Sequence, residues 1–131
     1  SENAYKRALH ITGENERVLE ARVLLEKNQL REFGQLLFDS HQSSIDNFEN
    51  SCEELDFLVE SAKQSGMCLG ARLSGGGFGG ISIHLVKSKN TTAYVNFIKT
   101  VFEDRNNKAP DIYICHSANG AEAKSFNGVT A

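Results

Sequence analysis

The chain has 131 residues, a net charge of −3 and a hydrophobic content of 40%, values typical of a soluble globular domain. The acidic balance excludes broad, sequence-independent nucleic-acid binding, which needs a basic surface. No apolar run approaches the roughly 20 residues of a membrane span, and the first ten residues lack the hydrophobic core of a signal peptide. Cys52, Cys68 and Cys115 share no metal-ligand or disulfide spacing, which predicts reduced thiols and a cytoplasmic location.

The first half of the sequence is helical in composition and spacing. Good helix formers predict a first helix over residues 3–27, and apolar residues at helical spacing predict a second over 29–44. A third helix is predicted to begin at Ser51, which with Glu54 matches a capping box, and to end at Gly66.

The second half changes to the alternating period of strands. Strands are predicted over 69–74 and 81–85, a fourth helix over 91–104, and a last strand over 111–116. The order α-α-α-β-β-α-β predicts an α+β fold in which helices pack on a small, largely antiparallel sheet.

Five of the chain's 11 glycines lie in one six-residue run, Gly75-Gly76-Gly77-Phe78-Gly79-Gly80. Three of them match the G-x-G-x-x-G spacing of a dinucleotide-binding loop, but that loop must open a helix, and here a strand follows. Two interpretations remain open. The run is either a flexible hairpin connection, or a backbone that approaches another backbone or an anionic ligand very closely.

Four polar residues of the first helix, Arg7, His10, Glu14 and Arg17, fall on one helical face. They are either partners in ion pairs within the helix or a strip of contacts to another domain. Catalysis is not expected of them.

Three further side chains are site candidates. His41 lies on the apolar side of the second helix, which favours a hydrogen-bonded core or interface histidine over a general base, with Ser40 as a candidate partner. The histidines show no metal-ligand spacing, so no metal site is predicted. Phe78 is expected to anchor the glycine run on its own domain or on another.

The run from Gly70 to Gly80, GARLSGGGFGG, resembles the third signature motif of the GHMP small-molecule kinases in its galactokinase form. Other stretches fit the same pattern in order along the chain. They are R-x-x-H-x-x-x-E-x-x-R from Arg7 to Arg17, F-G-x-L at Phe33-Gly34, S-H-x-x-S at Ser40-His41 and Ser44, S-C-x-E-L-D at Ser51-Cys52, and Tyr113 with Asn119-Gly120-Ala121.

The resemblance implies a ferredoxin-like antiparallel sheet with additional N-terminal helices, and residues 1–131 as a single C-terminal domain. The sugar-recognition motif, the phosphate loop and the catalytic residues would belong to an N-terminal domain absent from this sequence. Gly75 to Gly80 would pack against that domain's phosphate loop. The first-helix strip, with Ser40 and His41, would face the domain boundary.

The implied activity of the intact protein is ATP-dependent phosphorylation of galactose to galactose 1-phosphate, with Mg²⁺. The 131 residues alone are expected to bind neither ATP nor Mg²⁺, to be inactive, and to self-associate through surface that the N-terminal domain would cover. No nucleic-acid or membrane partner is expected. The alternatives are a non-catalytic sugar sensor related to galactokinases, or an N-acetylgalactosamine kinase.

Overall fold

The structure, a computed structural model, describes residues 1–122 and contains four α-helices and one antiparallel pair of strands. The elements in chain order are α1 (Glu2–Glu26), α2 (Leu30–Ser43), which runs on into a π-helical turn (Ser44–Phe48), α3 (Glu53–Gln64), β1 (Cys68–Ser74), β2 (Ile81–Val86), a short 3₁₀ turn (Ser88–Asn90) and α4 (Thr91–Asn106). Among residues 1–122, no helix is both long and apolar enough to cross a membrane.

The predicted helices are confirmed, and most of their boundaries fall where the sequence places them. Asn28, at φ 56°, breaks the chain between α1 and α2, and Gly66, at φ 65°, follows the end of α3. The predicted capping box at Ser51 is wrong. The N-cap is Cys52, which makes no side-chain cap bond, and the Ser51 hydroxyl donates to Asp56 Oδ1 at 2.5 Å.

The α+β class is confirmed, but the described sheet has two strands, β1 and β2, and shows no ferredoxin-like arrangement. The predicted strand at 111–116 is wrong for the structure described here: these residues have no strand partner within 1–122. Their alternating apolar side chains remain in solvent, with Tyr113 84% and Ile114 60% exposed. A strand needs a neighbour for its backbone hydrogen bonds, and periodicity alone cannot supply one.

The core lies on one face of the sheet. Ala71 of β1 is fully buried there, in a cluster with Val59 of α3 and Tyr94 and Ile98 of α4. Leu73 of β1 is also buried, at 1% exposure. Helix α4 is therefore buried through Tyr94 and Ile98.

The alternation of β2 is confirmed, but its polar side chains face the core. Ser82 and His84 lie opposite Leu73 and Ala71 and therefore share their face, whereas Ile81 and Ile83 point away. These polar groups can be buried because they hydrogen-bond one another. Ser82 Oγ lies 2.8 Å from His84 Nε2, and His84 Nδ1 lies 2.5 Å from the Tyr94 hydroxyl. Burial lowers the pKa of His84 to about 4, so the ring is neutral at pH 7.

Helix α2 meets β1 through a backbone contact between two glycines. A Cβ on Gly34 would lie 2.1 Å from the Leu69 carbonyl oxygen, and one on Gly70 would lie 2.1 Å from the Gly34 carbonyl oxygen. Both positions therefore require glycine for close approach, and the contact fixes where α2 places Ser40 and His41.

Candidate functional site

The glycine run forms the loop that joins β1 to β2, as the sequence predicted. Gly75, Gly77, Gly79 and Gly80 have φ values between 80° and 116°, in the region that favours glycine. Phe78 also has a positive φ, at 58°. Turn geometry thus accounts for four of the five glycines without any ligand.

Asn50 makes two hydrogen bonds to the tip of this loop. Its carbonyl oxygen accepts the backbone N–H of Phe78 at 2.6 Å, and its side-chain amide donates to the Gly76 carbonyl oxygen at 3.2 Å. A Cβ on Gly77 would lie 2.0 Å from the Asn50 carbonyl oxygen. The predicted close approach therefore exists at Gly77, and the backbone it approaches belongs to the same chain.

The outer side of the loop is open. A Cβ added at Gly75, Gly76, Gly79 or Gly80 would meet no atom of the described chain within 4 Å. Phe78 is 75% exposed, so the expectation that it anchors the loop on its own domain is wrong. Anchoring on another domain stays a prediction, as does the approach of a phosphate or of a second loop to this surface.

Arg7 supports the segment that carries Asn50. Its guanidinium donates to Glu49 Oε2 at 2.7 Å and to the Asn47 carbonyl oxygen, and it lies 5.8 Å from the centre of the Phe48 ring. Hydrogen bonds from Arg7, and then from Lys6, lower the pKa of the Glu49 carboxyl. Glu49 has a positive φ of 59°, so the backbone bends at this residue, directly before Asn50. The bonds to Glu49 and Asn47 stabilise this bend and thereby the position of Asn50.

The rest of the α1 strip points into this chain. His10 Nδ1 lies 3.0 Å from Ser43 Oγ, and the His10 ring packs 4.7 Å from the Phe48 ring. The Glu14 carboxylate accepts from Arg17 at 2.6 Å, from the Ser40 hydroxyl at 2.9 Å and from Arg72 at 3.3 Å. Burial would raise the pKa of Glu14, but the bonds from Arg17 and Ser40 outweigh it and lower the pKa.

The predicted ion pair between Glu14 and Arg17 is present, whereas His10 bonds to Ser43 and not to Glu14. The strip thus ties α1 to α2 and to β1. Arg17 Nη2 is nevertheless buried without a hydrogen-bond partner. A contact between this strip and another domain stays a prediction.

His41 is a buried, fully bonded histidine, as the sequence favoured. Its Nδ1 accepts the Leu73 backbone N–H at 3.1 Å, so the neutral ring carries its proton on Nε2, which donates to Asp56 Oδ1 at 3.1 Å. Burial lowers the pKa of His41, with Asp56 opposing the shift. Because both ring nitrogens are hydrogen-bonded within the chain, the His41 side chain links α2 to α3 and β1.

The chain matches the model described as the GHMP kinases C terminal over residues 21–95, more than half of its length. The chain belongs to the GHMP kinase family. The matched range runs from the second half of α1 to the first turns of α4 and contains the glycine loop, Asn50 and the His41–Asp56 pair.

Its similar relatives in the family are galactokinases. The chain is 40% identical over 121 residues to a galactokinase of Glaesserella parasuis and 34% identical over 126 residues to that of Bos taurus. It covers 92% and 96% of itself in these alignments, but only 32% and 31% of the two relatives. It therefore spans less than a third of their length.

Solved structures show the same relationship. The fold matches Lactococcus lactis galactokinase complexed with galactose at a TM-score of 0.78 and 38% identity, over 83% of this chain and 28% of that one. It also matches L. major mevalonate kinase in complex with R-mevalonate at a TM-score of 0.60 and 36% identity, over 65% of this chain and 26% of that one. The fold of this chain is thus similar to parts of two kinases of different names.

Sequence reasoning missed two residues that shape this candidate site, Asn50 and Arg72. Asn50 immediately precedes the S-C-x-E-L-D stretch, and a short polar residue before a helix start usually indicates a cap. Its bonds to a loop 26 residues away carry no periodic signal. Arg72 lies on the strand beside the glycine run, and only the α1–β1 contact reveals its bond to Glu14.

Proposed function

We propose that this chain is the C-terminal wall of a galactokinase active site, in an enzyme that transfers the γ-phosphoryl group of ATP to the C1 hydroxyl of galactose. The observation that carries the proposal is sequence identity of 33% to 41% to galactokinases over 87% to 96% of the chain. The likeness to a galactokinase complexed with galactose supports it.

The glycine loop is the part of this chain that we assign to the phosphates. ATP supplies the transferred group and Mg²⁺ neutralises its charge, and such transfer depends mainly on positioning and electrostatics. The glycines on the open side of the loop have free space around them, which leaves room for an anionic ligand to approach the backbone. Among residues 1–122 there is no group of three or more His, Cys, Asp or Glu that could hold a metal ion. We assign the loop contacts to phosphate oxygens.

The remaining wall of the site would come from the rest of the polypeptide. Phe78, Ile81 and Ile83 are exposed side by side on the loop and on the outer face of β2, at 75%, 62% and 45%. Patches of this kind mark interaction surfaces. We propose that the N-terminal domain of the kinase covers them, and that the 131 residues alone self-associate through them and have no kinase activity.

Steady-state kinetics on the full-length kinase that contains this chain test the assignment of the loop. Gly79→Val places a side chain on the open side of the loop, at φ 116°, and Gly66→Val is its matched control, at φ 65° in a turn that is equally open. Both variants place a side chain at a positive φ, which costs on the order of 1–3 kcal/mol at such positions. We expect galactose-dependent ADP release to fall about 100-fold or more in Gly79→Val, the size of effect seen when catalytic positioning is lost, and to stay near wild type in Gly66→Val.

Three outcomes would contradict the proposal. Turnover by the 131 residues alone would remove the need for a second domain. Turnover with N-acetylgalactosamine in place of galactose would identify the alternative kinase. An intact full-length protein that binds galactose and ATP without ADP release would identify a sugar sensor.

A further inference from the structure

A cavity lies at the end of the sheet that is farthest from the glycine loop. It has a volume of about 370 Å³ and is bounded by the start of α2, the α3–β1 turn and the β2–α4 turn. The loop follows the Ser74–Ile81 pair of the sheet, whereas the cavity adjoins the Cys68–Val86 pair. At about 3.3 Å per strand residue the two places are roughly 20 Å apart. The cavity is therefore separate from the proposed phosphate-transfer site.

The cavity concentrates positive charge in an acidic chain. Arg31, Lys87 and Lys89 line it, and no carboxylate does. Within residues 1–122, Arg31 is the one arginine without an ion-pair partner, since the five others are all paired. Lys87 and Lys89 also have no ion-pair partner there, like every described lysine except Lys6. Three like charges around one cavity repel one another, and a bound anion would remove that repulsion.

The other polar side chains of the cavity are the amides of Gln35 and Asn90, each of which can donate or accept hydrogen bonds. The side chain of Asn90 makes no capping bond to α4, and the first turn of α4 carries no acidic residue, so the positive end of that helix dipole adds to the field. Gln35 is partly engaged, since its amide donates to Asp39 at 2.8 Å. An arginine fork with two lysines matches the geometry and charge of phosphate oxygens. The volume is at the small end of the range for ligand sites.

We propose that this cavity binds a small anion with phosphate groups, of about the size of a diphosphate, through Arg31, Lys87 and Lys89. This site is independent of the galactokinase proposal, because it shares no residue with the glycine loop. It makes the chain a protein with two anion-binding surfaces at opposite ends of one sheet.

A titration of the protein with inorganic pyrophosphate, followed by residue-resolved amide NMR and calorimetry, tests the site. We expect saturable binding with shifts at Leu69 and Asn90, and at least a tenfold weaker Kd in the triple variant Arg31→Gln/Lys87→Gln/Lys89→Gln, which loses its charge-assisted hydrogen bonds. The matched control is Lys63→Gln/Lys99→Gln/Lys108→Gln, which removes the same charge from exposed positions outside the cavity. It should bind pyrophosphate within about twofold of wild type at 0.15 M salt, where distant charges are screened.

Several results would overturn the proposal. Equal weakening in both triple variants would show that pyrophosphate responds to net charge alone. Shifts confined to the glycine loop would place the anion there. Absence of saturation up to about 10 mM, a free energy weaker than roughly 3 kcal/mol, would leave no specific site. Citrate binding as tightly as pyrophosphate would contradict the assignment to phosphate.

Discussion

The packed side of the sheet and the glycine loop both depend on glycine, for opposite reasons. Where α2 meets β1, Gly34 and Gly70 have no room for a Cβ, because an added Cβ at either position would lie 2.1 Å from a backbone carbonyl oxygen. At Gly75, Gly79 and Gly80 the space is empty, and a positive φ is what a side chain would resist. Gly34 and Gly70 allow α2 and β1 to pack closely inside the domain, whereas the loop glycines leave one side of the loop uncovered.

Gly77 belongs to both classes. It has a φ of 82° and also presses on Asn50. The loop is therefore rigidly attached at one point and bare on its outer side. Such an arrangement suits a surface that must present backbone to a ligand without collapsing onto it.

Gly34→Ala should have the largest effect on stability. Its Cβ would meet the Leu69 carbonyl carbon and oxygen at 2.5 and 2.1 Å, so α2 and β1 must separate. We expect the free energy of unfolding to fall by about 3 kcal/mol or more, as for overpacked interiors. Gly76→Ala, at a position with open space and no positive φ, is the control and should change it by less than about 0.5 kcal/mol in urea unfolding. Equal losses in the two variants would show that the α2–β1 contact is not tight.

The buried polar group on the same side of the sheet should make stability depend on pH. The pKa of His84 is lowered to about 4, so between pH 6.5 and 4 the unfolded chain binds a proton that the folded chain does not. Stability is therefore complete above pH 6.5 and falls as the pH drops. The lowered pKa of His41 acts in the same direction.

Urea unfolding at pH 7 and pH 5 measures this dependence. For His84 alone we expect a loss of about 2 kcal/mol between the two values, at roughly 1.4 kcal/mol per pH unit. His84→Gln should remove that part of the loss, and His116→Gln, an exposed control, should retain it. The carboxyls with lowered pKa, such as Glu14, lose their contribution only at lower pH. An unchanged pH dependence in His84→Gln would mean that the ring is not buried as a neutral group.

Element types and the family were predictable here because both rest on local patterns. Helical spacing places α2 and α3 closely, and the glycine run was correctly assigned to a connection between strands because period-2 alternation follows it. The glycine motif from Gly70 to Gly80, supported by the stretches between Arg7 and Asp56, identified the GHMP family, which the comparisons confirm.

What the sequence could not show is which partner each group finds. The segment 111–116 has the alternation of a strand but no neighbour within the described residues. Ser82 and His84 look like a solvent face, yet Tyr94, ten residues beyond His84, bonds the ring and draws both into the core. Asn50 and Gly77 meet only because α3 and β1 return the chain to the same place. Such contacts depend on tertiary packing and leave no periodic signal.

Gly77→Ala should have an intermediate effect and shows whether the loop is attached at Asn50. A Cβ there meets a backbone oxygen and also takes a strained φ, whereas Gly79→Ala takes the strained φ alone. We expect Gly77→Ala to destabilise the protein by about 1–2 kcal/mol more than Gly79→Ala. Faster hydrogen exchange at the Phe78 amide, which bonds to Asn50, should accompany it only in Gly77→Ala. Equal exchange in the two variants would mean that Asn50 does not hold the loop.

Phe78→Ala should have the smallest effect on the stability of the 131 residues. Comparing that effect with the effect in the full-length protein shows whether the loop is covered. Because Phe78 is 75% exposed, truncation removes little buried surface, and we expect the 131 residues to change stability by less than about 0.5 kcal/mol. If the N-terminal domain covers the loop, the same substitution in the full-length kinase should cost about 2–3 kcal/mol, since a buried Phe contributes that much by burial. Tyr113→Ala, at an equally exposed aromatic away from the loop, is the comparison. A small effect of Phe78→Ala in both contexts would show that the open side of the loop faces solvent in the whole protein, and that its glycines serve turn geometry alone.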